Sequence, residues 1–200
     1  GDEVIVPSLT FVATANAVSY CSAVAHFVDS EERTLGIDPL KLKDYLKGAT
    51  IVSSDDCINK STGRRIKAVI PMHTFGHPVD LDPLMDICNE FKLEMIEDAA
   101  ESLGSYYKGV HTGNWGKLSI LSFNGNKTIT TGGGGAIITN DEILGKALFN
   151  TVLGQPFNLG YSYLSDRYND KSIFFSSKNS NNLFDLLEES AFAVSSFFSS

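Results

Sequence analysis

The chain has 200 residues, 42% of them hydrophobic, and sets 24 Asp and Glu against 16 Lys and Arg for a formal net charge of −8. This is ordinary globular composition, which excludes wholesale disorder, and one α/β domain of this length can bury a real core. The acidic balance, with no stripe of Lys and Arg, argues against nucleic acid as a partner, and no apolar run reaches the roughly 18 residues of a membrane span.

The chain opens with Gly1-Asp2-Glu3-Val4, without an initiator Met or a basic-then-apolar signal segment, so it reads as the interior of a longer protein. Short runs rich in Val and Ile alternate with stretches of helical spacing, the rhythm of βαβ units around a mostly parallel sheet. Strands are expected at Val4–Val6, Val24–Asp29, Ala68–His73, Glu94–Glu97 and Leu118–Ser122. Helices are expected at Ala13–Tyr20 and at Pro39–Leu46, the latter capped by Asp38 and closed by Gly48. The clearest helix lies between Asp80 and Lys92, where Leu81, Leu84, Met85, Ile87, Cys88 and Phe91 share one face and Asp80 or Asp82 with Pro83 can start the turn. From Gly132 to Asn140 a glycine-rich turn leads into a strand that returns beside its neighbour. Lys171–Ser200 is heavy in Ser and Phe, and only Leu183–Glu189 suggests a helix. The division expected is therefore an ordered portion over 1–146 and an irregular or poorly ordered tail over 147–200.

Cys21, Cys57 and Cys88 are far apart and form no CxxC pair, so neither a disulfide framework nor a zinc site is implied, and a reducing cytoplasm is the simplest compartment. His26, His77 and His111 have no ligand-like partners at metal spacing, so no metal is assigned. Two segments could carry chemistry. In Ser122-Phe123-Asn124-Gly125-Asn126-Lys127 a lone lysine follows an apolar strand and sits among Gly, Asn and Thr. Backbone can approach a ligand closely there and the amine can be tuned for nucleophilic work, although a loop lysine is ordinarily solvated. In Glu97-Asp98-Ala99-Ala100-Glu101 the acids follow the strand residues Met95-Ile96, at the carboxyl end where open α/β sheets bind ligands; the same acids equally suit the first turn of a helix.

Four ordered segments, Gly1–Asn16, Ala68–Asp82 with its Pro-Met-His-Thr-Phe-Gly-His-Pro core, Ile96–Gly104 and Ser119–Asp141, resemble the DegT/DnrJ-type sugar aminotransferases from Gly1 to about Lys146. Ser122–Gly135 looks most like the subgroup making amino sugars for legionaminic-acid-type nonulosonates. The resemblance implies an aspartate-aminotransferase-like, pyridoxal-phosphate fold type I large domain, α/β with a mostly parallel sheet flanked by helices and truncated at both ends. By position, Lys127 matches the lysine that holds pyridoxal 5′-phosphate covalently and shuttles a proton at the substrate carbon. Asp98 matches the carboxylate paired with the pyridinium nitrogen, which lets the ring act as an electron sink. Phe11 matches the aromatic residue stacked on the ring and Ser122 a hydroxyl bonded to the phosphate. Glu101 stands where many members have Gln near the phenolic oxygen; Thr10 and Asn126 are further pocket candidates. His73 is either structural or close to the cofactor.

The implied activity is transfer of an amino group from an amino acid, glutamate above all, to a nucleotide-linked 4-keto-6-deoxyhexose in amino-sugar and surface-polysaccharide biosynthesis. The expected partners are the nucleotide sugar, the amino donor and a second copy of the full-length chain in a cytoplasmic homodimer. Two alternatives stay open. A sugar dehydratase of the same cofactor would lack the covalent lysine, so Lys127 counts against it. A non-catalytic remnant or paralogue is suggested by the family's upstream phosphate-binding turn and downstream small domain, neither of which this sequence contains.

Overall fold

The computed structural model describes residues 1–130, 132–153, 160–164 and 172–177, with side chains to residue 148. Its elements are β1 (Glu3–Pro7), α1 (Val12–Tyr20), β2 (Val24–Val28), α2 (Pro39–Ala49), β3 (Thr50–Val52), β4 (Cys57–Asn59), β5 (Ile66–Val69), α3 (Leu81–Phe91), β6 (Glu94–Asp98), β7 (Tyr106–Tyr107), β8 (Val110–His111), β9 (Leu118–Ser122), β10 (Gly135–Thr139), α4 (Glu142–Leu153), β11 (Gly160–Leu164) and β12 (Ser172–Ser177). Eight strands form one sheet in the order β11-β12-β10-β9-β6-β5-β1-β2. From β2 to β9 the neighbours are parallel, and β10 returns antiparallel on β9, as the glycine-rich turn predicts. Strands β12 and β11 continue antiparallel from β10. They fall within the segment expected to be irregular; the helix suggested at 183–189 lies outside the described residues.

Alternation along the strands feeds two cores, because successive side chains point to opposite faces. Ile5, Val69 and Met95 pack with Leu42 and Leu46 of α2 and Leu81, Leu84, Ile87, Cys88 and Phe91 of α3. Val4, Val6, Ala68, Ile70, Ile96 and Leu118 pack on the other face with Val18 of α1 and Leu148 of α4. Burying both faces explains why these strands read as near-continuous apolar runs.

Asp38 caps α2 as expected, its carboxylate accepting from the N–H groups of Leu40 and Lys41. Three local expectations are corrected. Gly48 lies inside α2, and Thr50 takes the cap, its hydroxyl donating to Leu46 O at 2.7 Å. Asp80 holds the N-cap position of α3 as expected, but its carboxylate makes no cap bond and pairs with Arg33 instead. The strand expected over Ala68–His73 spans Ile66–Val69: Pro71 has no N–H for the ladder, and pairing resumes only as a bridge between Met72 and Asp98. Among the described residues no helix is long and apolar enough to cross a membrane.

The amino end of β1 is fastened by a buried carboxylate. Glu3 accepts from Thr62 Oγ1 at 2.6 Å, Asn59 Nδ2 at 2.8 Å and His26 Nδ1 at 2.7 Å. Burial pushes this carboxyl up, but Thr62, Asn59 and His26 outweigh it and hold it below the usual carboxylate range. A carboxyl depressed by folding stabilises the fold above its unfolded value of about 4.3, and that stability drains as pH falls through the lower folded value. Urea midpoints measured from about pH 6 to about pH 3 are expected to fall more steeply for the wild type than for Glu3→Gln. Equal slopes would remove Glu3 from the acid response.

Candidate active site

The chain leaves β1 through α1 to reach β2 on one side, and leaves β5 through α3 to reach β6 on the other. The carboxyl ends of β1 and β5 therefore flank a topological switch point, where open α/β sheets form their ligand crevice. Thr10 and Phe11 follow β1, Met72 and His73 follow β5, and Asp98 ends β6 beside them.

Asp98 is fixed from several directions. Its Oδ2 accepts from Thr14 Oγ1 at 2.7 Å and its Oδ1 from Ala100 N at 3.2 Å. Its own N–H donates to Pro71 O at 2.9 Å, and its carbonyl accepts from His73 N at 3.2 Å. Thr14 lies 2.8 Å from Thr10 Oγ1, which is also 3.0 Å from Met72 Sδ. A hydroxyl has one hydrogen. Thr14 gives its own to Asp98, so the stronger acceptor for the Thr10 hydrogen is Thr14 rather than the thioether. The direction Thr10 to Thr14 to Asp98 leaves the carboxylate as the terminal acceptor.

Lys127 sits on the turn after β9, its N–H donating to Asn124 O at 3.0 Å. Its Nζ lies 3.3 Å from Glu101 Oε1, with side-chain exposures of 15% and 29%. Glu101 Oε2 accepts from Phe75 N at 2.9 Å, and Phe75 adopts φ +52°, an uncommon conformation for a bulky side chain. The segment Asp98–Glu101 thus carries a fixed carboxylate at one end and the partner of Lys127 at the other. Thr130 Oγ1 donates to Phe123 O at 3.0 Å and Phe123 N to Gly134 O at 2.9 Å, which closes the loop around Lys127.

Of the remaining expected residues, Ser122 is half-buried and its hydroxyl accepts from Asn124 N at 3.4 Å. Phe11 begins α1 with an exposed ring, and Asn126 is exposed outside the contacts above. His73 is wholly buried against Glu97, Nε2 to Oε2 at 3.1 Å, so this structure settles its position as interior. Sequence reasoning gave Thr14 and Glu97 no role of their own, although both lie in the segments it singled out. Thr14 carries a faint signal, standing four residues after Thr10 at the start of a helix.

Comparison with known proteins bears on the whole arrangement. The profile of the DegT/DnrJ/EryC1/StrS aminotransferase family matches residues 1–154. GDP-perosamine synthase of Caulobacter vibrioides is 42% identical over 144 residues, covering 72% of this chain and 34% of that protein. A DegT/DnrJ/EryC1/StrS aminotransferase from Brucella abortus superposes with a TM-score of 0.69 at 25% identity, over 99% of this chain and 48% of its own. DesV of S. venezuelae, crystallised in complex with a ketimine intermediate, superposes with a TM-score of 0.64 at 27% identity, over 99% and 46%. Fold and comparison together define an α/β aminotransferase large-domain architecture. The chain belongs to the DegT/DnrJ/EryC1/StrS aminotransferase family, and it spans about a third of the length of its perosamine-synthase relative.

Proposed function

We propose that this chain is the cofactor-binding portion of an aminotransferase that moves an amino group from glutamate to the keto carbon of a nucleotide-linked 4-keto-6-deoxyhexose, with pyridoxal 5′-phosphate as cofactor. The observation carrying this reading is the pairing of a fixed carboxylate, Asp98, with an amine, Lys127, at the carboxyl ends of the adjacent parallel strands β6 and β9. The residues present fit the cofactor. Asp98 offers an oriented negative charge to a ring nitrogen, Phe11 a flat exposed face to a flat ring, Ser122 a hydroxyl donor to an anion, and Lys127 an amine to an aldehyde. Thr10 and Asn126 belong to the same pocket in this reading. When bound, pyridoxal phosphate supplies the aldehyde that carries the amino group and the ring that takes up the electron pair released at the substrate carbon.

The chain's own residues do the rest. Thr14 keeps Asp98 pointed by donating to its Oδ2. Lys127 would hold the cofactor's aldehyde carbon and, when free of it, would move the proton at the substrate carbon; Glu101, 3.3 Å from its Nζ, orients the amine. Ser122–Gly135 resembles the nonulosonate subgroup, but the relatives matched include GDP-perosamine synthases, which favours a guanosine-diphosphate-linked sugar instead. A cytoplasmic homodimer is part of the proposal, and the exposed apolar residues Leu9 and Val12 are surface that such an interface or the rest of the chain would cover.

The test is to incubate the full-length protein and pyridoxal phosphate with ¹⁵N-glutamate and a panel of 4-keto-6-deoxyhexoses linked to different nucleoside diphosphates. Mass spectrometry is expected to find ¹⁵N on the sugar of one nucleotide class, matched mole for mole by 2-oxoglutarate. Label on no sugar of the panel would overturn the substrate assignment.

A further inference from the structure

Glu97 is a carboxylate that the proposed chemistry leaves unused, and it is completely buried. It neighbours Asp98 on β6, so strand alternation turns the two acids to opposite faces of the sheet. A carboxylate offers about four acceptor positions, and here all four are filled. Oε2 accepts from His73 Nε2 at 3.1 Å and Gly113 N at 2.7 Å, and Oε1 accepts from Trp115 N and Gly116 N, each at 2.7 Å. His73 is fixed in turn. Its Nδ1 accepts from Val79 N at 3.3 Å, which places the ring proton on Nε2, facing the carboxylate. Burial pushes the Glu97 carboxyl up, but His73 and the N–H groups of Gly116 and Gly113 outweigh it and hold it below the usual carboxylate range.

The turn that wraps this acid is built for it. Gly113 has φ +91°, and a Cβ there would lie 3.0 Å from Ser119 Oγ; a Cβ on Gly116 would lie 2.7 Å from Met95 O. Three backbone N–H groups from one short turn converge on one anion. The connected elements are those that carry the site. His73 follows β5 and its N–H bonds Asp98 O, Glu97 lies in β6 next to Asp98, and the Gly113–Gly116 turn feeds β9, which ends at Ser122 and leads to Lys127. The ladders joining these strands are short, pairing Ala68 and Val69 with Glu94 and Met95, and Ile96, Glu97 and Asp98 with Leu118, Ser119 and Ile120. At the carboxyl ends backbone bonds from Asp98 N to Pro71 O, His73 N to Asp98 O and Ala99 N to Ile120 O carry the alignment on, and the Glu97 carboxylate ties the same three segments together from the opposite face.

We propose that Glu97, clamped by His73 and the Gly113–Gly116 turn, is a positioning residue that sets Asp98 against Lys127 across β6 and β9. The proposal rests on the reading of Asp98 and Lys127 given above. Glu97→Gln is close to isosteric but replaces one oxygen with an NH2 group, which faces at least one N–H donor in either orientation. His73→Gln is the gentler second variant, retaining an amide donor toward Glu97. Leu84→Ala serves as a control: it opens the α3 core, and Leu→Ala in a core is destabilising wherever it is made.

The experiment titrates the full-length proteins with pyridoxal phosphate and follows the visible band of the bound cofactor against pH. Glu97→Gln is expected to weaken binding about tenfold and to displace the pH midpoint of that band, with His73→Gln moving both in the same direction by less. Leu84→Ala is expected to lower the urea midpoint while leaving affinity and band unchanged. A Glu97→Gln protein that loses stability like Leu84→Ala yet keeps wild-type affinity and band would overturn the positioning role alone. If Glu97→Gln does not fold, an unchanged His73→Gln does the same. A wild type that binds no pyridoxal phosphate overturns the reading of Asp98 and Lys127, and this proposal with it.

Discussion

Replacing Lys127 with Ala in the full-length protein is expected to lower transamination by about 10²- to 10⁴-fold or more, the range for losing a positioned acid–base group, and to abolish covalent retention of the cofactor. The argument starts from position. Lys127 sits on a turn held by Asn124 O, one strand away from Asp98, with its Nζ only partly exposed and 3.3 Å from Glu101. An amine so placed is held in one orientation at the strand end, within reach of an aldehyde bound there, whereas a solvated loop lysine is not held. Borohydride reduction followed by peptide mass spectrometry is expected to find the cofactor on Lys127 in the wild type and on no lysine in Lys127→Ala. Lys127→Arg keeps a positive charge beside Glu101 but cannot be deprotonated, so it is expected to be as inactive as the alanine variant. Reduction that labels a different lysine would overturn the assignment.

The parallel sheet was legible because its strands are apolar on both faces. Leu118–Ser122 is found with its expected bounds, and Val4–Val6 and Glu94–Glu97 lie within β1 and β6. The face formed by Leu81, Leu84, Ile87, Cys88 and Phe91 was equally plain, since helical spacing makes one stripe. Strands β3, β4, β7 and β8 went unseen: two or three residues cannot show a period of two. The four histidines illustrate a second limit. Spacing alone left His73 undecided between core and cofactor, and the decision came from Glu97, 24 residues away in sequence. The hydroxyl on Asp98 comes from Thr14, 84 residues away, so no local pattern could have paired them. Motifs name the groups that touch a ligand; the groups that hold those in place are found only when the strands are laid side by side.

Asp98→Asn is expected to slow the half-reaction with glutamate about 10- to 10³-fold while leaving cofactor attached to Lys127. An opposite charge within about 4–6 Å moves a titrating group by about 1–3 pKa units, and each unit is a tenfold change in the protonated fraction. Asp98 is the group placed to exert that influence on a ring nitrogen. Thr14 Oγ1 and Ala100 N donate to its two oxygens, and none of the contacts described brings a cation to it. Asn keeps the shape, and the Thr14 hydroxyl can rotate to accept from the new amide, so the backbone anchors to Pro71 and His73 should hold. The loss therefore isolates charge from geometry. Thr14→Val makes the complementary change, keeping the charge but removing the donor that aims it, and it is expected to cost only about tenfold, the scale of one hydrogen bond to a charged group. Stopped-flow absorbance with glutamate, run across pH, measures both. An Asp98→Asn protein within a few-fold of wild type at every pH would show that the ring nitrogen does not depend on this carboxylate, and a Thr14→Val loss exceeding that of Asp98→Asn would show that orientation outweighs charge.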